Sequence, residues 1–162
     1  MHLYFKPGAC SLAARIVLTE LNIPFEATQV DTKTGLTAVG ADYRSINPRG
    51  YVPALVLQDG TVITENPAIL QYIADRHGDE AQQPAAGTLD RARLHEALNF
   101  ISSELHKAFS PYFGERPLSK TEKEAADAVL ARRIGDVASM LADGRSFVLG
   151  ATYSVADAYL FV

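Results

Sequence analysis

Residues 78–87, GDEAQQPAAG, cut the chain into two stretches of unlike texture. The segment is polar and carries Pro84 and Gly87, so it reads as a linker. Before it, short strand-like and helix-like pieces alternate. After it, every periodic segment is helical. A chain of 162 residues holds one ordinary domain or two small ones. The break predicts two, over 1–77 and 88–162.

In the first part, HLYF (2–5) and FEATQV (25–30) read as strands around a helix over 10–21. Leu12, Ile16, Val17 and Leu21 give that helix its three-to-four spacing. A strand, helix and strand in this order predict a parallel pair with a right-handed crossover. VPALVL (52–57) and TVIT (61–64) flank Asp59-Gly60, a hairpin signal because both turn positions need positive φ. The sheet is therefore mixed. The polar stretch 31–50 reads mostly as loop. Asn66-Pro67 opens a helix that buries Ile69, Leu70 and Ile73.

In the second part, Leu94, Leu98, Ile101, Leu105 and Phe109 form an apolar stripe. Thr121 and Glu124 read as a capping box ahead of Ala126, Val129, Leu130, Val137 and Leu141. Ser154 and Asp157 repeat that arrangement for a helix that has only begun at Val162. The fold class is α/β plus all-α: a mixed-sheet domain, then a helical domain.

Hydrophobic residues at 48% and charged residues at 21% match a soluble globular protein. The net charge of −4, with no basic block, points away from nucleic acid. No apolar run is long enough to span a bilayer, so no membrane partner is expected. A single cysteine and no visible leader fit a reducing compartment, and the expected location is the cytoplasm.

That cysteine, Cys10 in PGACS, stands at the start of the first helix. Free N–H groups and the helix dipole there favour a thiolate. A small buried hydrophobe is the other reading, and placement alone leaves both open. Pro7 occupies the position three residues before Cys10, so the chain has no C-x-x-C pair. In YVPAL (51–55) a cis Val52-Pro53 bond would leave the Val52 backbone free for an extended peptide. The residues by themselves favour a plain trans proline on an edge strand. In TENPAI (64–69), Glu65 either neutralises a helix end or faces a ligand ammonium whose carboxylate sits on the helix N–H groups. Asn99, Ser103 and His106 fall on one helical face, flanked by Lys107. Such a strip is either a solvated face or a cleft wall for an anion or thiolate. The histidines at 2, 77, 95 and 106 show no metal-ligand spacing, so no metal is expected.

PGACS, YVPAL, TENPAI and ELHK, with the strings NPRGYVPAL, DGTVITENPAI and SVADAYLF, together resemble a bacterial beta-class glutathione S-transferase. The resemblance covers the whole chain. It implies a thioredoxin-like domain followed by a helical bundle, with glutathione as cosubstrate in the cleft between them. It implies a cis Pro53. Val52 would pair its backbone with the cysteinyl unit, Glu65 and Asn66 would hold the γ-glutamyl end, and Tyr51 would join the glutathione-binding residues. Cys10 would sit against the glutathione sulfur. His106 and Lys107 would enter from the helical side with Ser103, and Asn99 would reach the site of a partner subunit in a homodimer. Ser11 is either a second thiolate-stabilising donor or a helix cap. Relatives often carry lysine where this chain has Gly35, with Lys33 nearby, and serine or glycine where it has Asn66. Family members also continue through further helices, so the resemblance implies a helical domain lacking its last helices. The expected activity is conjugation of glutathione to electrophiles, Cys10-dependent thiol transfer and peroxide reduction, or both. The alternative is a glutathione or apolar-ligand binder with little turnover.

Overall fold

The computed structural model describes residues 1–80, 82–114 and 116–162. Ala81, within the 78–87 break, lies outside the described residues. The chain starts with strand β1 (His2–Phe5), helix α1 (Leu12–Glu20) and strand β2 (Glu26–Asp31). A two-residue strand β3 (Leu36–Thr37) and a 3-10 turn (Tyr43–Ser45) follow. Strands β4 (Ala54–Val56) and β5 (Val62–Thr64) lead into helix α2 (Asn66–His77). The sheet order is β3-β2-β1-β4-β5, with β1 and β2 parallel and the other pairs antiparallel. The mixed sheet follows the expected strand, helix, strand and hairpin order. β3 falls in the stretch read as loop, because two residues are too few for a period-two pattern.

Alternation along β1 sends Leu3 and Tyr4 to opposite faces. Leu3 joins Leu18, Leu55, Ile69 and Ile73 beneath α1 and α2. Tyr4 packs with Val30, Tyr43 and Ala54 on the other face, where the 3-10 turn covers the sheet.

The helical part holds α3 (Leu89–Phe100), a π turn (Ile101–Leu105), α4 (His106–Ala108), a 3-10 turn (Ser110–Phe113), α5 (Lys120–Met140) and α6 (Val155–Leu160). Thr88 caps α3, its hydroxyl accepting from Arg91 N–H at 3.2 Å. The box that opens α5 is Ser119 with Glu122, not Thr121 with Glu124; Thr121 lies inside the helix. The Arg116 guanidinium holds Glu122 from the preceding turn and favours the earlier start. Ser154 and Asp157 pair as expected, with the carboxylate accepting from Ser154 N–H and Oγ at 2.8 Å each. The expected buried stripe of α5 is only partly covered. Ala126 is buried, Leu130, Val137 and Leu141 are half-buried, and Val129 is 40% exposed.

Candidate active site

The turn before α1 sets the site. The Ser11 side chain does not cap the helix. Its buried hydroxyl accepts from Lys6 N–H at 3.1 Å and donates to Lys6 O at 3.2 Å, closing the 6–11 loop. That commits the hydroxyl to the backbone and leaves Cys10 half-buried at the head of the helix. The Cys10 thiol points at Val52 O, 3.8 Å away. Val52-Pro53 is cis. Among the described residues the Val52 N–H has no hydrogen-bond partner. Tyr51 O accepts from Tyr43 Oη and from Asn47 Nδ2, each at 2.7 Å, so the strand entrance is fixed while the Tyr51 side chain stays exposed.

α2 reaches the same place from its N-terminus. Asn66 is 3% exposed, and its Nδ2 donates to Cys10 O at 2.6 Å. Its Oδ1 is buried without a hydrogen-bond partner among the described residues. Glu65 adopts φ +69 at the helix cap, and its exposed carboxylate stands 3.4 Å from Arg49 Nη1. Helix N–H groups, a carboxylate and a free strand edge therefore converge on one thiol.

Burial pushes the Cys10 thiol above its ordinary range. The N–H groups of Cys10 and Ser11 pull it down, as expected of a helix start, and Glu65 adds to the upward push. Desolvation outweighs the helix end. The expected lowering is thus present but overcome. His106 is lowered, by burial first and by Lys107 second. At neutral pH its imidazole is uncharged, and the fixed positive charge on this side belongs to Lys107.

The π turn redistributes the strip on α3 and α4. Ser102 Oγ and Ser103 Oγ both donate to Asn99 O, at 3.1 and 2.8 Å. The extra residue in the turn breaks the seven-residue register. Asn99, Ser103 and Lys107 are exposed, while His106 turns inward. Its ring centroid lies 6.4 Å from those of Tyr159 and Phe113. Tyr159, on α6, is 4% exposed. Burial pushes its phenol up; the Cys10 charge adds to that and the Asn66 side chain opposes it. Tyr159 thus bridges His106 to the Cys10–Asn66 pair. The sequence signal for it was its inward spacing from Val155 and Ala156, which reads as core. Phe109, the last residue of the expected apolar stripe, is exposed, as are Tyr112 and Phe113.

Among the described residues no group of three His, Cys, Asp or Glu side chains stands close enough to hold a metal. No described helix is long and apolar enough to cross a membrane.

A profile of the glutathione S-transferase N-terminal domain matches residues 8–76. The chain is 41% identical to glutathione S-transferase GstA of Escherichia coli O157:H7, over 99% of this chain and 79% of that protein. The chain belongs to the glutathione S-transferase family. A sphingomonad glutathione S-transferase complexed with glutathione superposes with TM-score 0.92 and 45% identity, over 99% of this transferase and 79% of that one. A beta-class glutathione S-transferase of Sphingomonas chungbukensis gives 0.91 and 45%, over the same shares. The cysteine-bearing turn, the cis-proline strand entrance and the α2 N-terminus all lie in the profile-matched part of this transferase. His106 and Tyr159 lie outside it.

Proposed function

We propose that the chain binds glutathione along the Val52 edge and transfers its thiol to a second substrate. The observation that carries this is the meeting at Cys10 of an unpaired Val52 N–H, the α2 N-terminus and the Glu65 carboxylate. An extended γ-Glu-Cys-Gly fits those three features in order: ammonium on Glu65, carboxylate on the Asn66 N–H at the α2 start, cysteinyl backbone on Val52. Its sulfur then faces Cys10 and the uncharged His106.

Neutral imidazole can accept the glutathione thiol proton, and the N–H groups at the α1 start then hold the thiolate. In conjugation that thiolate forms a carbon–sulfur bond as the electrophile expels its leaving group or takes up the electron pair. The exposed Phe109 and Phe113 offer an apolar wall for such a substrate. In thiol transfer the Cys10 thiolate attacks a glutathione disulfide. A Cys10–glutathionyl disulfide forms, and the glutathione thiolate that leaves takes a proton. Ser103, Lys107 and Asn99 are outward groups; Asn99 suits contact with a second copy in a homodimer. A cytoplasmic location accords with a free thiol.

Intact mass before and after incubation with glutathione disulfide tests the reading. A gain of one glutathionyl unit, absent in Cys10→Ala, is expected. Failure of the folded chain to bind reduced glutathione or gain that unit would sink it. Loss of thiol transfer in Cys10→Ala with conjugation retained would separate the two reactions.

A further inference from the structure

Arg44 is held by its neighbours across two loops that flank the proposed peptide edge. Tyr43 is buried; its N–H donates to Gly35 O at 2.9 Å and its hydroxyl to Tyr51 O at 2.7 Å. The Asp42 carboxylate accepts from the Arg44 N–H at 2.9 Å. The backbone around Arg44 is therefore pinned to the Gly35 loop and to the residue before Val52. The side chain itself is exposed.

The Nε atom of Arg44 stands 3.9 Å from where a Cβ would lie on Gly35, and 3.9 Å from where one would lie on Gly50. Both glycines have positive φ, +74 and +71. The guanidinium thus rests over two positions that carry no side chain, beside the entrance to Val52. Arg49, Arg91 and Arg145 each pair with an acid. Among the described residues Arg44 makes no ion pair and no side-chain hydrogen bond, so its donors face solvent.

A tripeptide whose amino end lies at Glu65 and whose middle lies on Val52 carries its second carboxylate at the opposite end. Arg49, the next arginine along the chain, is engaged by Glu65 at the amino end. We propose that Arg44 is the specificity residue that receives the glycyl carboxylate of the bound tripeptide. This rests on the glutathione reading above. A planar guanidinium offers two parallel N–H donors to a carboxylate, which gives orientation as well as attraction.

Dissociation constants for glutathione and for its glycyl monoethyl ester, measured by titration calorimetry, test this directly. The wild-type chain is expected to bind the ester about five- to tenfold more weakly. Arg44→Met should bind both ligands equally, at the wild-type ester affinity. Arg44→Lys should recover part of the difference, and Lys33→Met should keep it. An undiminished ester penalty in Arg44→Met, with glutathione still bound, overturns the assignment of Arg44 alone. Loss of the penalty in Lys33→Met instead moves the role to Lys33 and also overturns it. No glutathione binding by the wild-type chain would remove the underlying reading and this one together. Unchanged thermal midpoints across the variants would show that the folds compared are the same.

Discussion

Cys10 is pulled two ways by groups within reach of its sulfur. The N–H groups of Cys10 and Ser11 favour the thiolate; burial and Glu65 favour the thiol. The thiol also donates to Val52 O, a bond that a thiolate cannot make. Burial wins, so the protonated form persists above the ordinary thiol range in the ligand-free chain. Only the thiolate alkylates. Iodoacetamide alkylation followed by mass is therefore expected to be slow at pH 7 and still rising past pH 9. Glu65→Gln removes one upward push, so its alkylation curve should shift to lower pH. A plateau reached below pH 8 in the wild-type chain would contradict both statements. The sequence showed the downward half of this balance, because a helix start is legible in PGACS. The upward half was not legible. It depends on how far the cis-proline turn, α2 and Tyr159 of α6 cover the sulfur, and those residues are distant along the chain.

α6 shows how an element of six residues is kept in place. A helix this short does not stand alone in water. Its inner residues Val155, Ala156, Ala158 and Tyr159 are buried against α1, α2 and α3. Asp157 locks its start: the carboxylate accepts from Val148 N–H at 2.7 Å as well as from Ser154. Asp157→Ala leaves two backbone donors and a hydroxyl without an acceptor in a part-buried turn. The expected cost is about 2–4 kcal/mol. Ser119→Ala loses an exposed cap on α5, and the expected cost is about 1 kcal/mol. Urea denaturation at equilibrium measures both, and equal costs would mean that Asp157 acts only as a helix cap. The sequence placed the Ser154 box correctly because one hydroxyl and one acid stand alone there. In SKTEKE (119–124) two overlapping boxes compete, and the Arg116 contact to Glu122 that favours the first comes from the preceding turn.

Across the whole molecule, one apolar cluster ignores the break in the sequence. Leu3 and Leu55 of the sheet and Leu18 of α1 share it with Ile69 and Ile73 of α2, Leu94 and Leu98 of α3, and Val155 of α6. Arg91 adds a polar tie, pairing with Asp75 on α2 at 2.5 Å and donating to Pro84 O at 2.6 Å. A polar, proline-bearing segment is visible as a linker in any sequence, but the packing on either side of it is not. Nor does the period of α3 say which partner its stripe meets. The shared core gives the two parts one stability. Leu98→Ala, in the helical part, should destabilise the chain by about 3 kcal/mol, since the cavity opens within the shared cluster. It should do so in a single transition, with far-ultraviolet dichroism and the tyrosine near-ultraviolet signal of the sheet falling together. Tyr4 and Tyr43 belong to the separate cluster on the other face of the sheet and report that side. If the helical signal is lost in Leu98→Ala while those tyrosines keep their native spectrum, the two parts fold separately and the common core does not couple them.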